Sequence, residues 1–247
     1  MPGTVVFIGA GPGSADLITV RGAKRLAEAE VVLYDALTDP ALREMAPQAQ
    51  WVSVGKRGCT AGDGAHAYDS TAQSKINALL VQYGTSHRRV VRLKGGDASI
   101  FGRLEEELEA VADAGIEAEV VPGVTAAIAA AAGTMRPLTR RGTGRSLAFT
   151  TAMTQTGELQ ATRSADTEVF YMAGRQLGPL ARRLLQAGWP CDTPVSVVSR
   201  AGWPDQLHSE HTVTTLLQAS ALHAGRPTVV TVGAGAARLR STPATQP

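Results

Sequence analysis

The sequence predicts an α/β protein built as two α/β domains. Three observations predict it: short apolar runs that end in glycine corners, stretches of helical periodicity between them, and a change of pattern after Leu138. Branched apolar residues in short runs suit buried strands, and apolar residues recurring every three to four positions suit helices. The domains are expected at 1–135 and 136–240, with the junction at Gly133–Leu138. The polar, Pro- and Thr-rich segment 241–247 is expected to be disordered.

In chain order, Val5–Ile8 is an apolar strand that runs into Gly9-Ala10-Gly11-Pro12-Gly13. Leu17–Ala29 has apolar residues at helical spacing, with Arg21, Lys24 and Arg25 on the other side. Val31–Tyr34 is a second strand, ending at Asp35. Gln50–Val54 alternates weakly into a turn at Gly55-Lys56-Arg57-Gly58, and Cys59–Tyr68 reads as loop. Ser70 is placed to cap a helix through Ile76, Leu79 and Leu80. Val90–Leu93 is a strand broken by Lys94-Gly95-Gly96-Asp97, and Glu105–Ala114 is a helix with an acidic face. Glu119–Val121 is a short strand before Pro122-Gly123-Val124-Thr125. Ala126–Ala132 is a helix whose small side chains allow close packing. Later, Leu147–Thr151, Val169–Met172, Val195–Val198 and Thr228–Val232 read as strands and Gln176–Ala187 as a helix. Gln206–Thr214 alternates in polarity, so a mixed sheet with antiparallel members is expected.

Composition narrows the function classes. The 247 residues include 24 basic and 22 acidic ones, a net charge of +2, and 44% hydrophobic residues. That is enough apolar material for a sizeable core, and it leaves no global field to hold a nucleic acid. Cys59 and Cys191 lie far apart without metal-ligand spacing, so neither a disulfide framework nor a metal site is expected. The apolar start is too short for a secretory signal, and no 18-residue apolar run occurs. A soluble, cytoplasmic protein with free thiols is the expectation.

Two glycine corners, each after an apolar strand, suggest one ligand gripped from several strands. Ligands of open α/β sheets settle at the carboxyl ends of strands, where glycine lets them approach the main chain. Asp35 stands about where a ribose-binding acid belongs in a dinucleotide fold. However, the third glycine comes one position early, and Pro12 removes an amide donor that a pyrophosphate would use. A dinucleotide, another adenosine-type cofactor and a purely structural turn all stay open on these residues.

As a set, G-A-G-P-G-S-A-D-L-I-T-V-R-G, V-V-L-Y-D-A-L, V-V-R-L-K-G-G-D-A-S-I-F-G-R, E-V-V-P-G-V-T-A-A-I-A-A-A, P-L-T-R-R and Y-M-A-G resemble the tetrapyrrole (corrin/porphyrin) methylase family. Within it they are most similar to the uroporphyrinogen-III C-methyltransferases. The motifs occur in family order from Val5 to about Val232. The resemblance implies two α/β domains with S-adenosylmethionine in the cleft between them, S-adenosylhomocysteine as product, a homodimer, no metal, and methylation of a tetrapyrrole in siroheme or cobalamin biosynthesis. It implies cofactor contacts at Pro12, Gly95, Gly96, Asp97, Ile100, Thr125, Ala126, Met172, Ala201 and Thr228. It also implies roles at the substrate for Arg103, Glu106 and Asp35, and substrate contacts at Arg140, Arg141 and Tyr171. A carboxylate-rich macrocycle calls for arginines, whose planar fork meets carboxylates bidentately, and Arg136 and Arg145 lie in the same cluster.

The chain departs from the family pattern in places. Ala98 and Ser99 replace Pro-Phe, Leu104-Glu105 replace two glycines, Arg140 replaces a histidine, and Thr150-Thr151-Ala152-Met153 stands where V-T-G-H is usual. These departures keep two alternatives open: a methyltransferase of a later precorrin, and a non-catalytic cofactor-binding relative.

Overall fold

Every strand of the first half runs parallel, and this determines where its loops gather. The computed structural model describes residues 3–54, 70–152 and 159–239. Contacts divide the chain into two units, Met1–Ala126 with Gly202–Pro204, and Ala127–Ala201 with Asp205–Pro247.

In the first unit, β1 (Thr4–Gly9), β2 (Val31–Tyr34), β3 (Gln50–Ser53), β4 (Arg89–Lys94) and β5 (Glu117–Val121) form one sheet in the order β3-β2-β4-β1-β5. A parallel sheet is covered on both faces by its crossover helices, which is why these strands are apolar throughout rather than alternating. Along β1, Val6 and Ile8 join a core with Leu26, Val32 and Val91, while Val5 and Phe7 face Leu80, Val90 and Val111. Leu26 belongs to helix α1 (Val20–Ala27), Leu80 to α2 (Ser70–Ser86) and Val111 to α3 (Leu104–Asp113). Each such side chain, once fully buried, contributes about 1.5–3 kcal/mol.

The expected single helix over 17–29 is instead two pieces. A 3-10 turn at Ala15–Leu17 ends before α1, because the Thr19 hydroxyl accepts the Gly22 amide at 3.1 Å and begins a new helix there. Ser70 is the first residue of α2 rather than a residue ahead of it. The expected turn at 55–58, the loop at 59–68 with Cys59, Met153, and the tail at 241–247 lie outside the described residues.

The second unit has the expected mixed sheet. Its strands are β6 (Leu147–Thr151), β7 (Thr167–Tyr171), β8 (Pro194–Ser199), β9 (Leu207–Thr212) and β10 (Thr228–Gly233), in the order β6-β7-β10-β8-β9. Among the described residues of this sheet, β6 and β7 pair in parallel and the other neighbours are antiparallel. Helix α5 (Leu177–Gln186) lays Leu177, Leu180 and Leu184 on Phe170, Val197 and Val230. Helix α4 (Ala126–Gly133) brings Ala129 and Ala130 against Val198 and Ala201, the close approach that its alanines permit. Among the described residues no helix is long and apolar enough to cross a membrane.

Candidate functional site

Because β1, β2, β4 and β5 are parallel, their carboxyl ends deliver Gly9, Asp35, Gly95 and Pro122 to a single edge of the first sheet. The neighbours β1 and β4 lead onward in opposite directions, to β2 on one side and β5 on the other. Ligand crevices of open α/β sheets open at such a reversal. Both glycine corners flank this one, and they are joined: Gly96 donates to the Gly11 carbonyl at 2.7 Å, and Gly11 donates to Gly96 at 3.2 Å.

Asp97 fixes the geometry. Its Oδ1 accepts the Ser99 amide at 2.8 Å and the Ser99 hydroxyl, and its Oδ2 accepts the Gly123 amide at 2.8 Å. Burial resists ionisation here, but the donors from Ser99 and Gly123 outweigh it and hold the carboxyl below its usual range. Ser99, one of the departures from the family pattern, is therefore part of this junction. A Cβ on Gly123 would stand 2.3 Å from the Gly96 oxygen and 2.7 Å from the Gly9 Cα, so three loops meet here with no room for side chains. Pro12 is half-buried between the two glycines, and the Ile100 amide donates to the Asp97 carbonyl at 3.2 Å. Thr125 is buried directly before Ala126, the first residue of α4.

Beside this edge lies an ionic cluster that the sequence reading did not find. Alternation along β4 turns Arg92 and Lys94 to the same side as Val90, facing α2 and α3. Both are buried, as is Glu107. Lys94 Nζ donates to Glu107 Oε2 at 2.8 Å, and Arg92 spans Glu107 Oε1 at 3.1 Å and Asp35 Oδ1 at 2.7 Å. Burial lowers the Lys94 pKa and the Arg92 charge lowers it further, against the pull of Glu107. The available signal was Arg92 and Lys94, two apart among the apolar Val90, Val91 and Leu93, which require an acid from a covering helix.

The loop that enters α3 places Phe101 and Arg103 in the left-handed region, with φ of 52° and 53°. Non-glycine residues seldom adopt it, and it clusters at functional sites. Arg103 grips Glu106 with both arms, at 2.7 and 2.6 Å, and this pairing keeps the Glu106 carboxyl below its usual range.

In the second unit, the register opposes the end of β7 to the start of β10, which in turn pairs with the end of β8. Met172, Thr228 and Ala201 therefore belong to one end of this sheet. Met172 is 43% exposed with φ of 58°, an exposed methionine in a strained conformation. The preceding Tyr171 is buried, lies edge-on to Phe149, and accepts the Ala127 amide at 3.3 Å through its hydroxyl. Arg140 and Arg141 precede β6 and so stand at the opposite end of the sheet, one strand length away. Arg140 donates to the Ala237 and Arg238 carbonyls, while Arg141 is exposed and has no hydrogen-bond partner among the described residues. Arg136 is tied to Glu210 at 2.7 Å and to His208 at 2.5 Å. The described residues contain no cluster suited to a metal ion.

The profile of the Tetrapyrrole (Corrin/Porphyrin) Methylases matches residues 4–217. A uroporphyrinogen-III C-methyltransferase of Synechocystis sp. is 39% identical over 241 residues, 94% of this chain and 89% of that protein. A siroheme synthase of Zymomonas mobilis is 41% identical over 210 residues, 83% of this chain but 43% of that protein, so the chain spans less than half of this longer relative. Among solved structures, the uroporphyrin-III C-methyltransferase of Thermus thermophilus complexed with S-adenosylhomocysteine matches with a TM-score of 0.79 and 32% identity, over 94% of this chain and 97% of that one.

Proposed function

The chain belongs to the Tetrapyrrole (Corrin/Porphyrin) Methylase family, and we propose that it is an S-adenosylmethionine-dependent C-methyltransferase acting on uroporphyrinogen III, at C-2 and then C-7, to give precorrin-2. The observation that carries this reading is the Gly11–Gly96 corner, locked by Asp97 and Gly123 at the strand reversal.

That corner suits an amino-acid nucleoside. The space where a Cβ of Gly96 would point is open, with no atom nearer than 3.9 Å, so its main chain can be approached. Among the described residues Asp97 Oδ2 accepts from the Gly123 amide alone, which leaves a lone pair for an ammonium group. Gly95, Gly96, Asp97, Pro12, Ile100, Thr125 and Ala126 are the proposed contacts from the first unit, and Met172, Ala201 and Thr228 those from the second. When bound, S-adenosylmethionine supplies an electrophilic methyl group. Pyrrole carbons of a porphyrinogen are already nucleophilic, so the work left to the chain is alignment and removal of a proton.

Asp35, Arg103, Glu106 and Tyr171 are the residues proposed at the substrate. A guanidinium does not give up its proton at working pH, so Arg103 acts by electrostatic orientation of a carboxylate arm rather than as a base. Arg140 and Arg141 are proposed as further carboxylate contacts. A homodimer and a cytoplasmic location complete the proposal.

The test is incubation of purified protein with uroporphyrinogen III and methyl-labelled S-adenosylmethionine. Incorporation of label with chlorin-like absorbance after oxidation supports the reading, and no uptake at high enzyme concentration rejects it. Label on a precorrin in place of uroporphyrinogen III selects the later-step methyltransferase, the alternative that Leu104 and Glu105 keep open by standing where the family has glycines.

A further inference from the structure

Glu107 is completely buried and accepts from three side chains: Arg92 at 3.1 and 3.2 Å, Lys94 at 2.8 Å and Gln73 at 3.3 Å. Arg92, itself 2% exposed, extends the cluster toward the carboxyl edge, where its Nη2 donates to Asp35 Oδ1 at 2.7 Å. The Asp35 side chain is 31% exposed, so a continuous set of contacts runs from the closed interior under α3 to a carboxylate open to the edge. Lys94 engages Oε2 and Arg92 engages Oε1, which sets the plane of the Glu107 carboxylate and with it the tilt of the guanidinium. Arg92 also donates to the Leu93 carbonyl at 3.2 Å, a main-chain contact within its own strand. Stability alone gives little reason for such a cluster, since apolar residues of similar volume in place of buried ions are often neutral or stabilising.

We propose that Glu107 is a positioning residue for the methyl transfer: by holding Arg92 from α3, it fixes where the Asp35 carboxylate stands at the carboxyl edge of the first sheet. This rests on the reading of Asp35 as a substrate-side carboxylate. Loss of Glu107 leaves Arg92 with its contacts to Asp35 and to the Leu93 carbonyl but without its anchor on α3, so the guanidinium tilts and Asp35 follows its movement.

A double-mutant cycle tests it, with turnover of uroporphyrinogen III and calorimetric S-adenosylhomocysteine affinity measured for the wild type, Asp35→Asn, Glu107→Gln and the double variant. Misplacement of a reacting group by an ångström costs about 100-fold, so Glu107→Gln is expected to lose about that much kcat and Asp35→Asn, which removes the carboxylate itself, at least as much, both with S-adenosylhomocysteine affinity near wild type. The double variant is expected to fall no further than Asp35→Asn, because residues that act through one another are not additive. Additive losses, or parallel losses of kcat and S-adenosylhomocysteine affinity, overturn the proposal. Asp35→Asn at full activity overturns it too and leaves the methyltransferase reading intact. Should Glu107→Gln not fold, Glu107→Asp, which keeps the charge but withdraws it from Arg92, takes its place in the cycle. A crystal structure of the same variant needs no substrate: Asp35 displaced from Arg92 supports the assignment, and an undisturbed contact rejects it even where the wild type proves inactive on uroporphyrinogen III.

Discussion

Asp97 Oδ2 accepts the Gly123 amide hydrogen at 2.8 Å, tying the loop after β4 to the loop after β5 across β1. A hydrogen bond to a charged group contributes about 1.5–3 kcal/mol, or about 10- to 100-fold in an equilibrium. Asp97→Ala is therefore expected to weaken S-adenosylhomocysteine binding by that factor and to lower Tm. Calorimetric titration with S-adenosylhomocysteine and a thermal melt check both, and unchanged affinity would remove Asp97 from the proposed cofactor corner.

The two glycines beside it predict different outcomes. A methyl on Gly123 meets main-chain atoms of Gly9 and Gly96 at 2.3–2.7 Å, and backbone cannot turn aside as a side chain does. Gly96 has open space but a φ of 70°, for which a non-glycine residue gives up about 1–2 kcal/mol. Gly123→Ala is expected to unfold the edge, with a Tm drop well beyond that of Gly96→Ala. Gly96→Ala is expected to fold and to lose affinity for S-adenosylhomocysteine, because its methyl enters the space left for the ligand.

Much of this was legible in the sequence. The strands of the first unit were visible as apolar runs, because a sheet covered on both faces needs no polar alternation and Val5–Ile8 shows none. The corners were visible because glycine and proline interrupt such runs. The ion cluster was not visible, since the partners of Arg92 and Lys94 come from α3 and from the end of β2, and nothing local distinguishes Glu107 from the exposed Glu105 and Glu106. The break before α1 was hidden in the same way: Ile18 and Leu26 fit one helical stripe, and only the Thr19 cap divides it. Placement of Arg140 and Arg141 at the far end of the second sheet depends on strand direction, which apolar patterning does not encode.

Arg141 has a free guanidinium among the described residues, and it stands one strand length from Tyr171. If it meets a propionate or acetate arm, Arg141→Ala raises the uroporphyrinogen III KM about tenfold or more, the loss of one charge-assisted contact, and leaves S-adenosylhomocysteine affinity unchanged. Steady-state kinetics with calorimetry separates the two. An unchanged KM excludes Arg141 from the substrate site.

Stability is expected to fall with acid in a way that traces to the second unit. His223 is fully buried between the Ser199 and Ser209 hydroxyls at 2.8 and 2.9 Å, and Ser209 also bonds His211 at 2.8 Å. His208 Nε2 accepts from Arg136. All three imidazoles sit below the ordinary value of 6.5, each chiefly through burial; the Arg136 charge adds to this at His208, and neighbouring His211, His208 and Arg226 add to it at His223. Glu210 pulls His208 the other way, and Arg238 works against protonation. A folded state that holds its histidines neutral binds fewer protons than the unfolded chain, so stability is complete above about pH 6.5 and is lost as pH falls below it. Glu210, held at about 2 by Arg238 and Arg136 against some burial, extends the loss below its ordinary 4.5. Urea melts at pH 7.5, 6.5 and 5.5 should show a midpoint that declines across this range, and His223→Gln should flatten the decline. A midpoint independent of pH from 7.5 to 5.5 would show that these imidazoles titrate in the folded protein as they do in the unfolded one.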